Sequence, residues 1–331
     1  MKLSGWSLIR ALLVIAASVS LPMSATAALY ASGGGVGGLS GLHIVDPQTG
    51  SNTPVWSFNN VAFYAGGLAY DDASGKLYAT GNENATSGTS RLFSIDPATG
   101  ALTAFPGLSS SINLNSGGLA INPVTGVMYA SGDYNDGVTA HQSTGLFTID
   151  KTTGAASLIG FAGGNCCGTD FGLRLYGLGF RSDGTLFANG LGTGPSFPDA
   201  NTSHLFTVNL ASGAATNIGP SGVTLGRSLK YSGLAFRADG TLLSLGSLDA
   251  ASGALYAIDT ATGAATSLSG TGLPYGTGPI HFGVDGALSF APTSAVPEPA
   301  AAWLFAGGLL VLVSAARRRA ARPPAAAAAG S

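Results

Sequence analysis

The chain has 331 residues, of which 9% are charged and 45% are hydrophobic, and its formal net charge is -2. Disordered chains are usually rich in charge and poor in apolar residues, so this composition favours a packed core. The small net charge offers no electrostatic case for binding nucleic acid. The 51 glycines follow no G-x-y period, which argues against collagen and predicts many tight turns.

The first 27 residues have the pattern of a signal peptide. Basic residues precede an apolar stretch, Ala11 to Leu21, that is too short for an ordinary membrane span. Ala25 and Ala27 supply the small residues of a signal-peptidase site. We therefore predict cleavage after Ala27 and export of the chain, with an uncleaved anchor as the alternative.

Residues 28 to 290 repeat a unit of about 50 residues. Each unit contains an apolar strand that ends in Asp or Asn, with Gly four residues later. The Asp or Asn positions are Asp46, Asp96, Asp150, Asn209 and Asp259. Asp and Asn accept hydrogen bonds from the N–H groups that follow, and Gly adopts the positive φ that closes a short hairpin. The repeated pattern therefore predicts a hairpin.

A second hairpin precedes the first in each unit. Its first strand carries the pattern Gly-Leu-small-apolar, and its second strand follows a short turn. These first strands begin at Gly67, Gly118, Gly177 and Gly233, and we assign a last copy to Ile280 to Val284. Four strands in about 50 residues are typical of a β-propeller blade.

The fold class is therefore all-β, a β-propeller of about five four-stranded blades. The N-terminal unit begins with a second strand at Leu29, so the C-terminal unit has to supply the missing first strand and close the ring. With Ile280 to Val284 in that place, Ala287 to Phe290 is surplus; it either competes with residues 29–31 or starts the linker. Six blades, one of them degenerate, is the second choice, and a β-solenoid is the third.

The two cysteines, Cys166 and Cys167, are neighbours in a loop. Adjacent Cα atoms lie ~3.8 Å apart, below the usual disulfide range of roughly 4.4–6.8 Å, so a disulfide here would be strained. Two loop thiols or a stiffened turn are favoured over a redox site, and the pair offers too few ligands for zinc.

No catalytic motif is present. Asp133, Asn135 and Asp136 resemble part of a calcium loop, but no Glu follows at the required distance, so we favour a polar turn. The histidines stand apart in the sequence at His43, His141, His204 and His281. We predict no catalytic residue, no metal and no cofactor, and hence a body that is not an enzyme.

Aromatic residues fall into two classes. Those that recur in the repeats, such as Tyr70, Phe180 and Phe236, are interpreted as core between blades. Loop aromatics are the better candidates for stacking on a ligand. They are Tyr134, Phe171, Phe197 and Tyr275.

The C-terminal segment has three parts in order. Val296, Pro297, Glu298 and Pro299 follow a short linker, 291–295; an apolar run, 300–316, comes next, and then Arg317, Arg318 and Arg319. Seventeen residues form a helix of about 26 Å at ~1.5 Å per residue, the lower limit for a membrane span. The arginines favour the cytoplasmic side, which places the low-complexity tail, 320–331, in the cytoplasm and the body outside.

This segment resembles the PEP-CTERM sorting signal of Gram-negative bacteria. The resemblance covers Val296 to Arg319, and only the continuing tail departs from the family pattern. It implies recognition of Val296 to Pro299 by an exosortase, with Arg317 to Arg319 as the membrane stop, and cleavage near Pro-Glu-Pro. The body would then be released or transferred to the cell surface. Such proteins often accompany exopolysaccharide production and biofilm formation.

These patterns together predict an exported protein held in the inner membrane facing the periplasm before processing, and at the cell surface or secreted afterwards. Its predicted role is structural or adhesive in an extracellular matrix, with exosortase and the inner membrane as partners, exopolysaccharide as a candidate partner, and no nucleic acid. The alternatives are a propeller lyase or hydrolase and a glycan-binding module, with a site in the central channel or in the face loops around Cys166 and Tyr134.

Overall fold

The computed structural model describes residues 27–34, 39–47, 52–59, 61–83, 89–114, 117–135, 144–163, 172–192, 197, 202–222, 233–247, 252–268, 273–274 and 287–291. They belong to one compact unit, Ala27–Pro292. Every regular element in these ranges is a β-strand, and the strands form five sheets. None of these ranges contains a helix with the length and apolar character that a membrane span requires.

Each sheet is one blade, and the strands follow one another along the chain. Blade 1 contains β1 (Ala28–Gly34), β2 (Leu39–Val45) and β3 (Asn52–Asn59). Blade 2 contains β4 (Val61–Asp71), β5 (Lys76–Glu83), β6 (Arg91–Ile95) and β7 (Leu102–Gly107). Blade 3 contains β8 (Ile112–Asn113), β9 (Leu119–Ile121), β10 (Met128–Tyr134), β11 (Gly145–Ile149) and β12 (Ala156–Phe161). Blade 4 contains β13 (Leu173–Phe180), β14 (Leu186–Gly192), β15 (His204–Val208) and β16 (Ala215–Pro220). Blade 5 contains β17 (Leu234–Phe236), β18 (Leu242–Ser247), β19 (Ser252–Ile258), β20 (Ala265–Ser267) and β21 (Leu273–Pro274). The last strand, β22 (Ala287–Ala291), completes blade 1.

This arrangement confirms the predicted all-β propeller of five four-stranded blades. Neighbouring strands within each blade are antiparallel, and the short strands β8 and β21 add extra pairings to blades 3 and 5. The innermost strands β22, β4, β9, β13 and β17 contact one another in a closed cycle around the axis.

The ring is closed by β22, which pairs antiparallel with β1 from Ala28 opposite Ala291 to Ser32 opposite Ala287. The assignment of Ala287 to Phe290 as a surplus segment is therefore wrong, and Ile280 to Val284 lies outside the described residues. The physical reason is visible in the sequence. Leu288-Ser289-Phe290 repeats the Leu-small-aromatic spacing of Leu68-Ala69-Tyr70, which the other segment does not. The closing strand ends at Ala291, the first residue of the predicted linker.

The hydrophobic core consists of five clusters, each formed mainly by two adjacent blades. Successive side chains of a strand point to opposite faces of its sheet, so an inner strand feeds two clusters. In β4, Leu68 packs into the cluster shared with blade 1 and Ala69 into the cluster shared with blade 3. The inner strands have apolar residues on both faces because each strand packs between two neighbouring blades.

Glycine permits the innermost strands to approach closely around the axis. A Cβ on Gly118 would lie 2.3 Å from the backbone N of Leu178, and one on Gly233 would lie 2.3 Å from the backbone N of Leu288. Neither neighbour is a flexible side-chain end, so a larger residue would separate two blades.

The predicted Asp/Asn-to-Gly turn between third and fourth strands is confirmed. Asp96 Oδ1 accepts hydrogen bonds from the N–H groups of Ala98, at 2.9 Å, and Thr99, at 3.2 Å. Gly100 closes the turn with a φ of +70°. The same side-chain bonds recur at Asp150, Asn209 and Asp259.

The turn glycine also serves as a contact between blades. A Cβ on Gly100 would lie 2.5 Å from the ring of Trp56 in β3 of blade 1, and Trp56 Nε1 donates to the carbonyl of Pro97 at 3.1 Å. Gly126 closes the first turn of blade 3 with a φ of +71°, but no atom lies within 4 Å of the place its Cβ would take.

Replacing Leu288 in the closing strand by Ala is expected to destabilise the body by about 3 kcal/mol. The side chain is 1% exposed and lies in the cluster between blades 5 and 1. Urea denaturation of residues 28–295 measures the change. The control is Leu268→Ala, since Leu268 is 37% exposed; its cost should stay within about 0.5 kcal/mol. Equal losses would contradict closure by β22.

The two glycines separate backbone strain from packing between blades. Gly126→Ala should cost about 1 kcal/mol, because only the left-handed backbone conformation opposes it. Gly100→Ala should cost at least about 1 kcal/mol more, since it also forces the Trp56 ring away. Thermal and urea denaturation of both variants decide the matter, and equal costs would show that the contact with Trp56 is unimportant.

Candidate functional site

The innermost strands end around the axis on the face that carries the hairpin turns. The last apolar residue of each strand surrounds a cavity of about 130 Å³ at this point, with Pro123 beside them. We call these five residues the channel mouth: Tyr70, Ile121, Phe180, Phe236 and Phe290. Phe180 is 9% exposed, and the other four are partly exposed.

The Leu-small-apolar pattern places these side chains. The first residue is buried between blades, and the five leucines are 1% to 2% exposed. The second residue faces the neighbouring blade and has to be small: in β13 a Cβ on Gly179 would lie 3.0 Å from Leu234 Cβ. The third residue stands where the strand ends, so one side of it packs and the other faces the cavity.

Second-strand aromatics support two of the mouth rings. The ring centroid of Phe180 lies 5.5 Å from that of Tyr129, and the centroid of Phe236 lies 5.4 Å from that of Phe187. Aromatic pairs at these separations are attractive beyond their burial. The mouth rings of blades 4 and 5 are therefore held in place before any ligand arrives.

A polar collar follows the mouth directly in the chain. It consists of Asp71, Asn122, Arg181 and Arg237. Arg181 donates to Asp183 Oδ2 from Nε at 2.9 Å and from Nη2 at 2.6 Å. Together with the N–H of Thr185, these bonds hold the pKa of Asp183 well below its usual range. Arg237 Nε lies 3.7 Å from Asp239 Oδ2.

Asp71 links two blades in the collar. Its side chain is 6% exposed and accepts hydrogen bonds from Lys151 Nζ, at 2.9 Å, and Ser74 Oγ, at 2.8 Å. Burial raises the pKa of this carboxyl, but the bonds from Lys151 and Ser74 outweigh burial, so the pKa lies below its ordinary value. Asp71 is therefore ionised at neutral pH and ties blade 2 to blade 3.

Tyr70 combines an apolar ring with a neutral hydroxyl. Burial and the carboxylates of Asp72 and Asp71 raise its pKa, so the phenol stays protonated at neutral pH. Its backbone N–H donates to Ser289 Oγ of the closing strand at 2.8 Å. The mouth therefore combines apolar ring faces with the hydroxyl groups of Tyr70 and Ser289.

The described part of the chain contains no group of three or more His, Cys, Asp or Glu side chains placed to hold a metal ion. His43 is buried in the third strand of blade 1, at the position that Phe93 occupies in blade 2. His204 Nδ1 lies 3.1 Å from Asn217 Oδ1 in blade 4. The two histidines thus belong to different blades.

Among the loop aromatics, Phe197 is 8% exposed and packs against His204, with ring centroids 5.0 Å apart. Its prediction as a ligand-stacking residue is wrong, because it fills space that Gly192 leaves open. Tyr134 is partly buried, 6.3 Å from the ring of Phe147. Asp133 faces Arg174 at 3.4 Å.

The remaining predicted site residues lie outside the described residues, and their assignments stay predictions. They are Ala25, Asp136, His141, Cys166, Cys167, Phe171, Tyr275, His281, Val296, Pro297, Glu298, Pro299, Arg317, Arg318 and Arg319. Ala27 is described and exposed, one residue before β1.

The repeated aromatic position predicts core residues between blades, and it also marks the mouth. Tyr70, Phe180 and Phe236 occupy one place in the repeat, but their partial exposure follows from their position at the strand end. Phe290 was missed because its strand was not recognised as the closing strand.

Several solved structures are similar to this chain at low identity. The PQQ-bound aldose sugar dehydrogenase from Streptomyces coelicolor is 16% identical, with 75% of this chain and 84% of that chain covered and a TM-score of 0.40. An exo-β-1,3-galactanase from Phanerochaete chrysosporium is 10% identical, with 71% and 62% covered and a TM-score of 0.46. An engineered GH43 glycoside hydrolase is 14% identical, with 72% and 51% covered and a TM-score of 0.43. No protein-family model and no curated protein matches the sequence.

These comparisons overturn the prediction that the body is not an enzyme, because the similar structures include glycoside hydrolases and a dehydrogenase. Their identities are 10% to 16% and their TM-scores 0.40 to 0.46, so they assign no reaction to this chain. The resemblance to a sorting signal rests on the sequence of Val296 to Arg319 and stays a prediction.

Removing the ammonium that faces Asp71 should weaken the fold in a pH-dependent way. Lys151→Met is expected to cost about 1–2 kcal/mol at pH 7, because a buried carboxylate loses a charged partner. An unfolded Asp has a pKa of about 3.9 and the folded pKa is lower, so the stabilisation is present above about pH 4 and is lost as the pH falls through the folded value.

Urea denaturation of both proteins from pH 3 to pH 7 measures this difference. The control is Lys76→Met, an exposed lysine after the same turn as Asp71, which should change stability by less than about 0.5 kcal/mol at every pH. A cost of Lys151→Met that does not change with pH would contradict the role given to the ion pair.

Proposed function

We propose that the chain is an exported cell-surface protein of the extracellular matrix, sorted through its C-terminal Pro-Glu-Pro segment by an exosortase. In this proposal the propeller is the working body, with an adhesive role linked to exopolysaccharide. The terminal segments direct the body to the cell surface.

The observation that carries the proposal is the closure of the ring between Ala28 and Ala291, which are opposite each other in the ladder of β1 and β22. The predicted signal-peptidase site at Ala27 lies one residue before this ladder, and Val296 lies five residues after it. Cleavage at either place leaves intact the 22 strands that the structure describes. A body that is complete between its two processing sites is what detachment from a membrane requires.

The chemistry of the C-terminal segment supports the same proposal. Pro297 and Pro299 have a fixed φ and lack backbone N–H groups, so they favour an extended backbone that a protease-like cleft can accept. The apolar run, 300–316, and Arg317 to Arg319 would hold the chain in the inner membrane until it is cut. The body would then reach the cell surface.

Closure also suits a protein that works outside the cell. Closure covers the edge of β1 with β22, and exposed strand edges are the usual places for aggregation. The Asp71–Lys151 ion pair and the Trp56–Pro97 hydrogen bond join neighbouring blades in addition to the apolar core. A body held together by such contacts between blades can present a binding surface in a matrix.

Replacing Pro297, Glu298 and Pro299 by alanine in an exosortase-containing Gram-negative host tests the sorting step. The wild-type chain with a C-terminal epitope tag should lose the tag and reach the cell surface. The triple variant should keep the tag and remain in the inner membrane, because the recognised segment is gone. Fractionation and mass spectrometry of the C-terminus measure both outcomes.

The matched control replaces Pro323 and Pro324, which lie in the tail beyond the arginines, by alanine. This variant should be processed like the wild type. Unchanged processing of the Pro-Glu-Pro variant, or equal loss in the control, would show that the segment is not the recognised signal.

A further inference from the structure

We propose that the channel mouth binds one uncharged pyranose residue of a polysaccharide. The inference rests on the proposed link to exopolysaccharide and deepens it by assigning a place and a chemical class to the ligand. Of the two places predicted for a glycan site, it selects the central channel over the face loops that contain Tyr134 and Phe171.

The size of the mouth limits the ligand to one ring. Its cavity is about 130 Å³. An engineered cavity of roughly 150 Å³ holds one benzene molecule, so this smaller space can cover part of one sugar ring, and the ring's hydroxyl substituents extend into solvent. The mouth is open at the turn face, so a terminal sugar can enter while the rest of a glycan stays in solvent.

The walls match the C–H faces of a sugar ring. Tyr70, Phe180, Phe236 and Phe290 are contributed by four different blades, and Ile121 completes the circle. A pyranose has apolar C–H groups on its faces and hydroxyl groups around its edge, so aromatic walls can cover the faces. Tyr129 and Phe187 already hold two of the walls, which lowers the entropic cost of binding.

Hydroxyl groups of the mouth match the hydroxyl edge of the sugar. Tyr70 and Ser289 both line the cavity; the Tyr70 hydroxyl is neutral and can donate or accept, and the Ser289 hydroxyl accepts the backbone N–H of Tyr70. Ligand pockets commonly combine apolar walls with a few polar groups that fix orientation. A purely apolar ring would leave these hydroxyl groups unused, which favours a sugar over an aromatic side chain.

None of the described residues that line the mouth is charged, which favours an uncharged sugar. Asp71 is paired with Lys151, Arg181 with Asp183, and Arg237 with Asp239. The collar charges are thus matched by opposite partners. A uronate carboxylate would therefore lose solvent at the mouth without gaining a cation, whereas neutral sugar hydroxyls carry no such cost.

Saturation-transfer NMR on the body, residues 28–295, tests the assignment. The ring closes within these residues, so the body is self-contained. The ligands are methyl glucopyranoside, methyl galactopyranoside and methyl mannopyranoside, with glucuronate and p-cresol as the competing classes. We expect transfer to the ring C–H protons of at least one neutral glycoside, with a Kd on the order of 1 mM for a ligand this small.

Two matched variants locate the site. Ile121→Lys should weaken binding about tenfold or more, because the lysine stem crosses the mouth while its ammonium reaches solvent. Val124→Lys makes a similar change three residues later, at a side chain that is 66% exposed and outside the lining of the mouth, and should leave Kd unchanged. Phe236→Leu keeps the mouth apolar but removes one ring; it should weaken binding several-fold and decides the matter if Ile121→Lys does not fold.

The proposal is overturned if no neutral glycoside shows transfer, if binding survives both mouth variants, or if Val124→Lys weakens it equally. Tighter binding of glucuronate or p-cresol would overturn the ligand class. This experiment uses no exosortase and no host cell, so its failure is distinguishable from failure of the sorting hypothesis. If the protein is sorted but its body binds no sugar, the proposed sugar site is rejected and the proposed sorting signal stands.

Discussion

The pairing of β1 with β22 is the interaction on which the rest of the structure depends. Five residue pairs, from Ala28–Ala291 to Ser32–Ala287, join the two ends of the body. Without them blade 1 lacks its innermost strand, blade 5 exposes an apolar face, and the cycle of innermost strands is open. The contact is also the most distant in sequence, so its loop-closure entropy is the largest that folding has to overcome. Closure therefore depends on the side chains that β22 buries, above all Leu288.

The second constraint is the small space around the axis. Where the innermost strands begin, Gly118 and Gly233 lie against the backbone of the next blade and leave no room for a Cβ. Where the strands end, the side chains are Tyr, Ile or Phe and enclose a cavity. The repeated pattern of the innermost strands thus produces close packing where the strands begin and a cavity where they end. Small residues set the distance between blades, and the large residue at the strand end can then face its counterparts across the axis.

Periodicity predicted most of this fold because every blade repeats the same local chemistry. The Asp or Asn before each turn and the Gly after it act within five residues, so the hairpins could be recognised without any tertiary information. The closing strand was missed because Ala287-Leu288-Ser289-Phe290 has Ala where the other copies have Gly, and Ser where they have Ala or Gly. Phe197 was misjudged for a related reason: its burial depends on Gly192, whose lack of a side chain admits the ring. The partial exposure of the mouth side chains likewise depends on the assembled ring of five blades, because no single repeat encloses a cavity.

Closure of the ring and binding at the channel mouth are thermodynamically coupled. Phe290 is a wall of the mouth and also the penultimate residue of the closing strand, and Ser289 accepts the N–H of Tyr70 from the neighbouring blade. The mouth exists only in the closed ring, because its walls come from five different blades. A molecule that binds there binds the closed state alone, and its binding free energy adds to the stability of the ring by mass action. If the body joins a polysaccharide matrix as proposed, sugar binding at the mouth would stabilise the closed ring there.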